Sequence, residues 1–356
     1  MVGPIEKLAA KGVSRRDFVK LCAATTAAFG LSKVFVPQVV EAAETAVKKP
    51  AVIWLEGQDC AGCSESLLAT LKPDAATLVL DVISLRYHET IMAGAGEHAE
   101  EARRKTMEEG GYVLVVEGSI PLADDRFCKI GGKSFREMLL ETAKNAAAIV
   151  AVGACATYGG IPKAGPTNAA GVLDVIKDKP VINLPMCPGK PSQLVATLLY
   201  FITFKRAPEL DKYGRPKVFY SNLLHDNCPR RGHFENGQFL TDWNDPSQKE
   251  WCLLMKGCKG PKTYTDCAQV WWNDGANFCI NAGSPCSGCA QPEFYADFNP
   301  LYTKTEMFNL PGLGQMNVDS LGKAIGGLAA AGVAVHLAGK LITGNGSEKD
   351  SKGVGK

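Results

Sequence analysis

The sequence lacks any surplus of charge: across 356 residues, 39 basic side chains stand against 37 acidic ones, a net of +2. Phosphate binding needs a concentrated basic face, so this balance gives no reason to expect a nucleic-acid partner. Polar bias is lacking too. With 46% apolar and 21% charged residues, wholesale disorder is excluded, and the length suits two or three domains. Cysteine falls short of the ~8–10% that marks a small disulfide scaffold. What is there is thirteen cysteines, an odd number that includes tight pairs, and that pattern points toward metal.

Residues 14–20 are Ser-Arg-Arg-Asp-Phe-Val-Lys, followed by an Ala-rich apolar run from Leu21 to Val36, broken only by Lys33. A small-residue zone near Val40-Glu41-Ala42-Ala43 completes the pattern of a bacterial export signal over residues 1–43. The paired Arg15-Arg16 makes it the twin-arginine kind. A basic amphipathic helix of the mature protein is the competing reading. Cys22 lies in the apolar stretch and is set aside from the metal count. The twin-arginine route carries proteins already folded, often with a cofactor in place. Exported cysteines ordinarily suggest disulfides, but thiolates already holding metal are not available to oxidise.

After Pro50, short apolar runs alternate with helix-like stretches. The candidate strands are Ala51–Glu56, Leu78–Leu85, Tyr112–Glu117, Ala148–Val152 and Val181–Leu184; the helical patterns are Ser64–Leu71, Glu97–Glu109 and Phe135–Asn145. Such alternation predicts an α/β domain with a parallel sheet covered on both faces, and ligands of these sheets sit outside the carboxyl ends of the strands. Cys60 and Cys63 follow the first strand, Cys155 the fourth and Cys187 the fifth. Four thiols therefore arrive at one edge of one sheet. Glycines and prolines around them let the backbone pass close to a bulky inorganic group. Four thiolates could hold zinc or an iron–sulfur cubane. Only one close pair is present, and ligands from separate loops suit the larger object. A redox-active Cys-x-x-Cys is the alternative, but it leaves Cys155 and Cys187 unexplained.

From about Lys205 the periodicity fades, and Trp, Gly, Pro and Cys take over. His225 and Cys228 are followed by Cys252, Cys258, Cys267, Cys279, Cys286 and Cys289. A segment so poor in regular patterning needs something else to order it, and metal binding supplies that free energy. Thirteen cysteines less Cys22 and Cys128 leave eleven; His225 makes twelve donors, or three sets of four. Cys128, with no partner nearby in sequence, reads as a buried small hydrophobe.

Together these segments resemble the small subunit of nickel–iron hydrogenases over nearly the whole chain. The resemblance rests on the export signal, Trp54-Leu-Glu-Gly-Gln-Asp-Cys-Ala-Gly-Cys-Ser-Glu65, Gly153-Ala-Cys-Ala-Thr-Tyr-Gly-Gly160, His225-Asp-Asn-Cys-Pro-Arg-Arg-Gly-His-Phe-Glu-Asn-Gly237 and Gly257-Cys-Lys-Gly-Pro-Lys-Thr-Tyr264. It implies a flavodoxin-like domain over residues 50–204 holding a proximal four-iron cluster on Cys60, Cys63, Cys155 and Cys187. An irregular Cys-rich iron–sulfur domain over residues 205–310 would then hold a distal cluster on His225, Cys228, Cys252 and Cys258, and a medial cluster on Cys267, Cys286 and Cys289. Many relatives have a non-ligating residue where Cys279 stands, and a three-iron medial cluster. Here Cys279 offers a fourth thiolate, so the expectation is a medial cubane and three [4Fe-4S] clusters in all, a feature that resembles the nickel–iron–selenium subgroup. Gly62 and Gly160 occupy the positions where oxygen-tolerant members carry extra cysteines, so the proximal cluster should be an ordinary cubane.

The resemblance further implies that the catalytic nickel site lies in a partner large subunit, and that this chain conducts electrons between it and an external acceptor, a periplasmic cytochrome c or a membrane cytochrome b/quinone-linked partner. Tunnelling falls steeply with distance, so a long gap must be divided into short hops. A neutral imidazole at the distal site should raise that cluster's potential relative to an all-Cys cubane, and a medial cubane should lower the middle one. Glu56, Asp59 and Glu65 flank the proximal donors, where a proton relay or contact with the large subunit competes with solvated or capping carboxylates. Arg230, Arg231 and His233 suit partner docking or a structural ion pair. His88 and His98 carry no motif and are read as surface or satisfied core histidines.

Residues 321–344 form a Gly/Ala-rich apolar run that reaches the ~20 residues of a membrane span only by including Lys323, His336 and Lys340. Membrane anchor and soluble docking helix both remain open there, and residues 345–356 read as a disordered polar tail. The competing functions are the iron–sulfur subunit of another exported oxidoreductase and a non-catalytic exported binding protein stabilised by disulfides or zinc.

Overall fold

The sequence stretch after Pro50 folds around five parallel strands: β1 (Ala51–Glu56), β2 (Ser84–His88), β3 (Val113–Glu117), β4 (Ala148–Val152) and β5 (Val181–Leu184). Their spatial order is β2-β1-β3-β4-β5, the order of flavodoxin-like doubly wound sheets, in which ligands bind at the crevice where the winding reverses. Near-continuous apolar runs such as Val-Leu-Val-Val in β3 are the mark of strands buried on both faces. Alternate residues divide between two cores. Val52, Trp54, Val113, Val115, Val150, Val152, Ile182 and Leu184 face one; Ile53, Leu55, Leu114, Val116, Ile149 and Ala151 face the other.

The computed structural model describes residues 49–70, 74–79, 83–272, 275–295, 308–310, 314–316 and 331–336, with the single positions 23, 27, 36 and 329. Apart from those single positions and residues 331–336, the export signal with Cys22 and the apolar run at 321–344 lie outside the described residues. The chain forms two compact units, Met1–Thr303 and Lys304–Lys356. In the second, Phe308–Leu310 and Gly314–Met316 pair as antiparallel strands, and residues 331–336 are helical and exposed. Among the described residues, no helix is long and apolar enough to cross a membrane.

Helices α1 (Gly62–Leu68), α2 (Glu97–Glu109), α3 (Phe135–Ala143), α4 (Gly153–Tyr158) and α5 (Pro191–Phe204) connect or flank the strands. The Ser134 hydroxyl caps α3 by accepting the Glu137 N–H at 3.2 Å, the hydroxyl half of a Ser-x-x-Glu capping pattern. Helix α5 starts with a proline at its first turn, where the missing N–H costs nothing. It buries Leu194, Val195, Leu198, Leu199 and Ile202 on the first core.

Two expectations need correction. The second strand is not Leu78–Leu85 but Ser84–His88; Leu78 and Val79 continue a helical turn instead. Strand β2 is an edge strand, half exposed, so its sequence carries little apolar signal, whereas Leu78 and Val79 before it lie in a helical turn. Helix α5 has no counterpart among the expected elements: it is apolar on nearly every side, and a helix without a polar face shows no 3.6-residue contrast. The segment after Lys205 is irregular as expected, built of short 3₁₀ and α turns. Its Leu224, Leu253, Phe278, Ile280 and Ala290 join the same core as Trp54 and α5.

Candidate metal centres

The twelve donors gather in three groups. In the first, Cys60 and Cys63 sit at the turn from β1 into α1, Cys155 lies in α4 directly after β4, and Cys187 follows β5 by three residues. Like charges of Cys155 and Cys187 would oppose ionisation of Cys63, and those of Cys187 and Cys60 would oppose it at Cys155, which burial first of all pushes up to about 12. The backbone is shaped around these sulfurs. A Cβ on Gly153 would stand 2.5 Å from Cys63 Sγ, and one on Gly160 would stand 2.8 Å from Cys155 Sγ. Both glycines have positive φ (+85° and +53°), a conformation that L-residues adopt only with strain. The Gly189 N–H donates to Cys63 Sγ at 3.1 Å.

The second group surrounds His225. Its ring lines one cavity with Cys228, Cys252 and Cys258, closed by Leu224, Leu253, Pro261 and Ile280. His225 Nε2 is buried without a hydrogen-bond partner. An imidazole nitrogen withdrawn from water is costly unless something accepts its lone pair or proton, and three thiols share the cavity with it. Burial and then the Arg231 charge hold His225 below its ordinary value, which leaves it neutral and able to bind metal.

The third group is Cys267, Cys279, Cys286 and Cys289. Burial is the main influence raising Cys289, and Cys267 and Cys279 both oppose its ionisation. Cys286 is raised by burial, then by Cys258 and Cys289. Cys279 is exposed on this chain, whereas Cys267 and Cys286 are buried. Thr265 Oγ1 lies 3.4 Å from Cys267 Sγ, and the Gly288 N–H donates to Cys286 Sγ at 3.4 Å.

Backbone contacts link the groups in series. The Cys187 backbone, from the first group, lies against the Cys289 sulfur of the third. The Cys286 N–H, from the third group, donates to Cys258 Sγ of the second at 3.3 Å. The third group therefore lies between the other two.

The donor chemistry fits iron–sulfur clusters. All twelve described cysteines are free, so disulfides do not order the segment. Burial raises most of their thiol values, Cys258 to about 11; a bound cation is what draws such protons off. A lone ion would need its donors packed closely. Among the described residues, the one set of three with ligand atoms within 4.8 Å of one another is Glu56, Asp59 and Glu117, not a thiol set. Thiols held further apart, with N–H groups aimed at their sulfurs, suit a larger sulfur-bridged core. Cys128 is half-buried against the second core, as expected.

Beside the first group lies a polar network that the sequence did not reveal. Glu117, at the end of β3, accepts the Cys63 N–H at 2.9 Å, the Trp54 Nε1–H at 3.2 Å and the Ser64 hydroxyl at 2.6 Å. His88 is fully buried. Its Nδ1 accepts the N–H groups of Thr90 and Ile91, which places the ring proton on Nε2, 3.1 Å from Ser64 Oγ. Burial lowers His88 to about 4, so its 3.8 Å approach to Glu56 is not an ion pair. Glu56 is buried rather than solvated. It lies 3.0 Å from Ser64 Oγ, and burial is the chief cause raising its carboxyl. Asp59 reaches solvent and caps the turn at Ala61; nearby buried surface and Glu117 push it up to about 7. Glu65 and His98 are exposed. Arg230 is buried and donates to the carbonyls of Lys249 and Trp251, a structural role. Arg231 bonds Glu235 at 2.9 Å, and His233 Nδ1 lies 2.7 Å from Gln238 Oε1.

A parallel sheet with thiols at its carboxyl edge, joined to a segment organised around further thiols and one buried imidazole, defines an iron–sulfur protein. The family profile for the C-terminal part of the NiFe/NiFeSe hydrogenase small subunit matches residues 220–302, and that for the 20 Kd subunit of NADH ubiquinone oxidoreductase matches residues 60–201. The chain is 42% identical over 335 residues to the uptake hydrogenase small subunit of Azotobacter vinelandii, covering 92% of each. It is 43% identical to the periplasmic NiFe hydrogenase small subunit of Solidesulfovibrio fructosivorans over 302 residues, 83% of this chain and 95% of that one. A solved structure of the reduced, active Ni-Fe-Se hydrogenase from Desulfomicrobium baculatum superposes with a TM-score of 0.68 at 37% identity, covering 72% of this chain and 100% of that one. This chain belongs to the nickel–iron hydrogenase small-subunit family.

Proposed function

We propose that this chain relays electrons between the nickel–iron site of a hydrogenase large subunit and an external acceptor, as part of the reaction H2 = 2 H+ + 2 e−. The observation that carries this reading is the serial arrangement of three donor groups, joined by the Cys187–Cys289 and Cys286–Cys258 backbone contacts. Cys60, Cys63, Cys155 and Cys187 would hold the proximal [4Fe-4S] cluster. Cys267, Cys279, Cys286 and Cys289 would hold the medial one, and His225, Cys228, Cys252 and Cys258 the distal one. Such clusters supply one-electron storage at potentials set by type, charge and hydrogen bonding. The chain's own part is to fix their spacing, keep water from the buried sulfurs such as those of Cys258, Cys267 and Cys286, and aim N–H donors at them. The proximity of Cys279 to Cys289 supports a four-iron medial cluster and the nickel–iron–selenium subgroup.

The functional division follows the donor groups: residues 50–204 carry the proximal set and residues 205–310 the other two. Residues 1–43 serve as a twin-arginine signal directing the folded protein to the periplasm, consistent with the periplasmic naming of one relative. The acceptor is a periplasmic cytochrome c or a membrane cytochrome b linked to quinone. The test is purification of the native complex. The expected result is about twelve irons with matching sulfide per chain, a large partner containing nickel, and hydrogen-dependent dye reduction. Zinc in place of iron, or a partner without nickel, would overturn the reading.

A further inference from the structure

Between the first and third donor groups lies a charge pair that cluster binding does not require. Lys190, 2% exposed, stands three residues after Cys187 and immediately before α5. Its Nζ lies 2.9 Å from Oδ1 of Asp266, the residue preceding Cys267, and it also donates to the Val270 carbonyl. Gln193 Nε2 donates to the same Asp266 oxygen at 3.0 Å, and Gln193 Oε1 accepts from the Tyr220 hydroxyl at 2.6 Å. Neither the ammonium nor the carboxylate is free to move away. A buried ion pair of this kind is weak as a stabilising device, because desolvation offsets its attraction and an apolar pair of similar volume often serves as well.

We propose that Lys190 sets the reduction potential of the medial cluster, raising it by standing as a fixed positive charge beside the Cys267 end of that centre, with Asp266 as its positioning partner. The inference rests on the medial assignment made above. Uptake of one electron adds one negative charge to the group those thiolates hold, and a cation in a dry setting favours that state far more than one in water. Lys190 Nζ is held by Asp266, the residue before Cys267, and by the carbonyl of Val270, three residues after it, so the ammonium is fixed from both sides of Cys267. A cubane with four thiolates is the more reducing choice for a middle centre, and a neighbouring lysine offsets part of that fall.

Redox titration of the intact heterodimer, followed by electron paramagnetic resonance, tests this. Lys190→Met should lower the medial midpoint so that the reduced-to-oxidised ratio at fixed applied potential falls at least tenfold, about 59 mV for a one-electron couple. Lys190→Arg should leave it near the wild-type value, and Asp266→Asn should shift it upward. Opposite signs from the two partners are what a merely structural pin would not produce. Should Lys190→Met lose iron, the Asp266→Asn shift and the Lys190→Arg rescue carry the test. Unchanged midpoints at full iron content, or shifts of the same sign, would overturn the proposal while leaving the cluster assignment intact. A wild-type complex without a medial cluster would instead overturn the assignment, and this proposal with it.

Discussion

Gly153→Ala is the sharpest single perturbation of the proximal group. The new Cβ would start 2.5 Å from Cys63 Sγ, and ordinary contact begins near 3.4 Å, so sulfur and backbone must separate by almost an ångström. Holding an L-residue at φ +85° costs about 1–2 kcal/mol, and forced overpacking adds about 1–3 kcal/mol. Restriction of the unfolded chain returns about 0.4–1 kcal/mol, leaving a net loss of about 1–5 kcal/mol. The consequence for metal is larger than for the fold, since ligand distances tolerate only about ±0.2 Å. Iron per heterodimer should drop by about four, with loss of the proximal signal in the reduced complex while the other signals persist. Gly232→Ala is the control: nothing lies within 4 Å of its Cβ position, and iron content should not change. Full iron content and an unaltered proximal spectrum in Gly153→Ala would refute the claim that this glycine exists to admit the Cys63 sulfur.

Other consequences can be measured on the same complex. His225→Cys adds a negative charge to the distal site and should slow hydrogen-dependent reduction of the acceptor about tenfold or more at unchanged iron content; an unchanged rate would remove the imidazole from electron exit. Cys279→Ser should convert the medial centre to a three-iron form, losing about one iron per chain and producing an oxidised-state resonance signal that the wild type lacks. A wild-type complex already showing that signal at full stoichiometry would exclude Cys279 as a donor. Burial raises Glu89, which accepts the Glu56 N–H at 2.7 Å, from 4.5 to about 8. The folded state therefore holds a proton that the unfolded chain releases, and this contribution, full below 4.5, is lost as pH rises toward 8. The thermal-stability advantage of Glu89→Gln should widen over that interval; a constant difference would contradict the assignment.

How much of this was legible in advance depended on range. Strands β1, β4 and β5 and helix α2 have the bounds that their apolar runs predict, because strands buried on both faces and amphipathic helices leave local signatures. The edge strand β2 and the apolar helix α5 left none: the first is half solvated and the second has no polar side to contrast. The candidate donors of all three groups were visible as cysteines, with one histidine, at strand ends or in a segment without periodicity. The polar residues around them were not. Glu117 looked like the end of an ordinary strand, and His88 carried no motif, yet Ser64 joins Glu117 from 53 residues away and His88 from 24. Arg230, open beforehand to a docking role, proved to be a buried brace for the Lys249–Trp251 backbone.

The amino-acid sequence by itself determined the inventory: which side chains can bind metal, which strand each follows, and which glycines leave room beside them. Those properties are local, fixed by residue type and by neighbours a few positions away. The tertiary structure alone decided adjacency. Folding brought Cys187 against Cys289 and Cys286 against Cys258, so the group written last in the chain lies between the other two, and it joined Lys190 to Asp266 across 76 residues. Such pairings arise from the packing of one continuous core beneath both segments, and no periodicity along a chain encodes which distant loops that core will bring together.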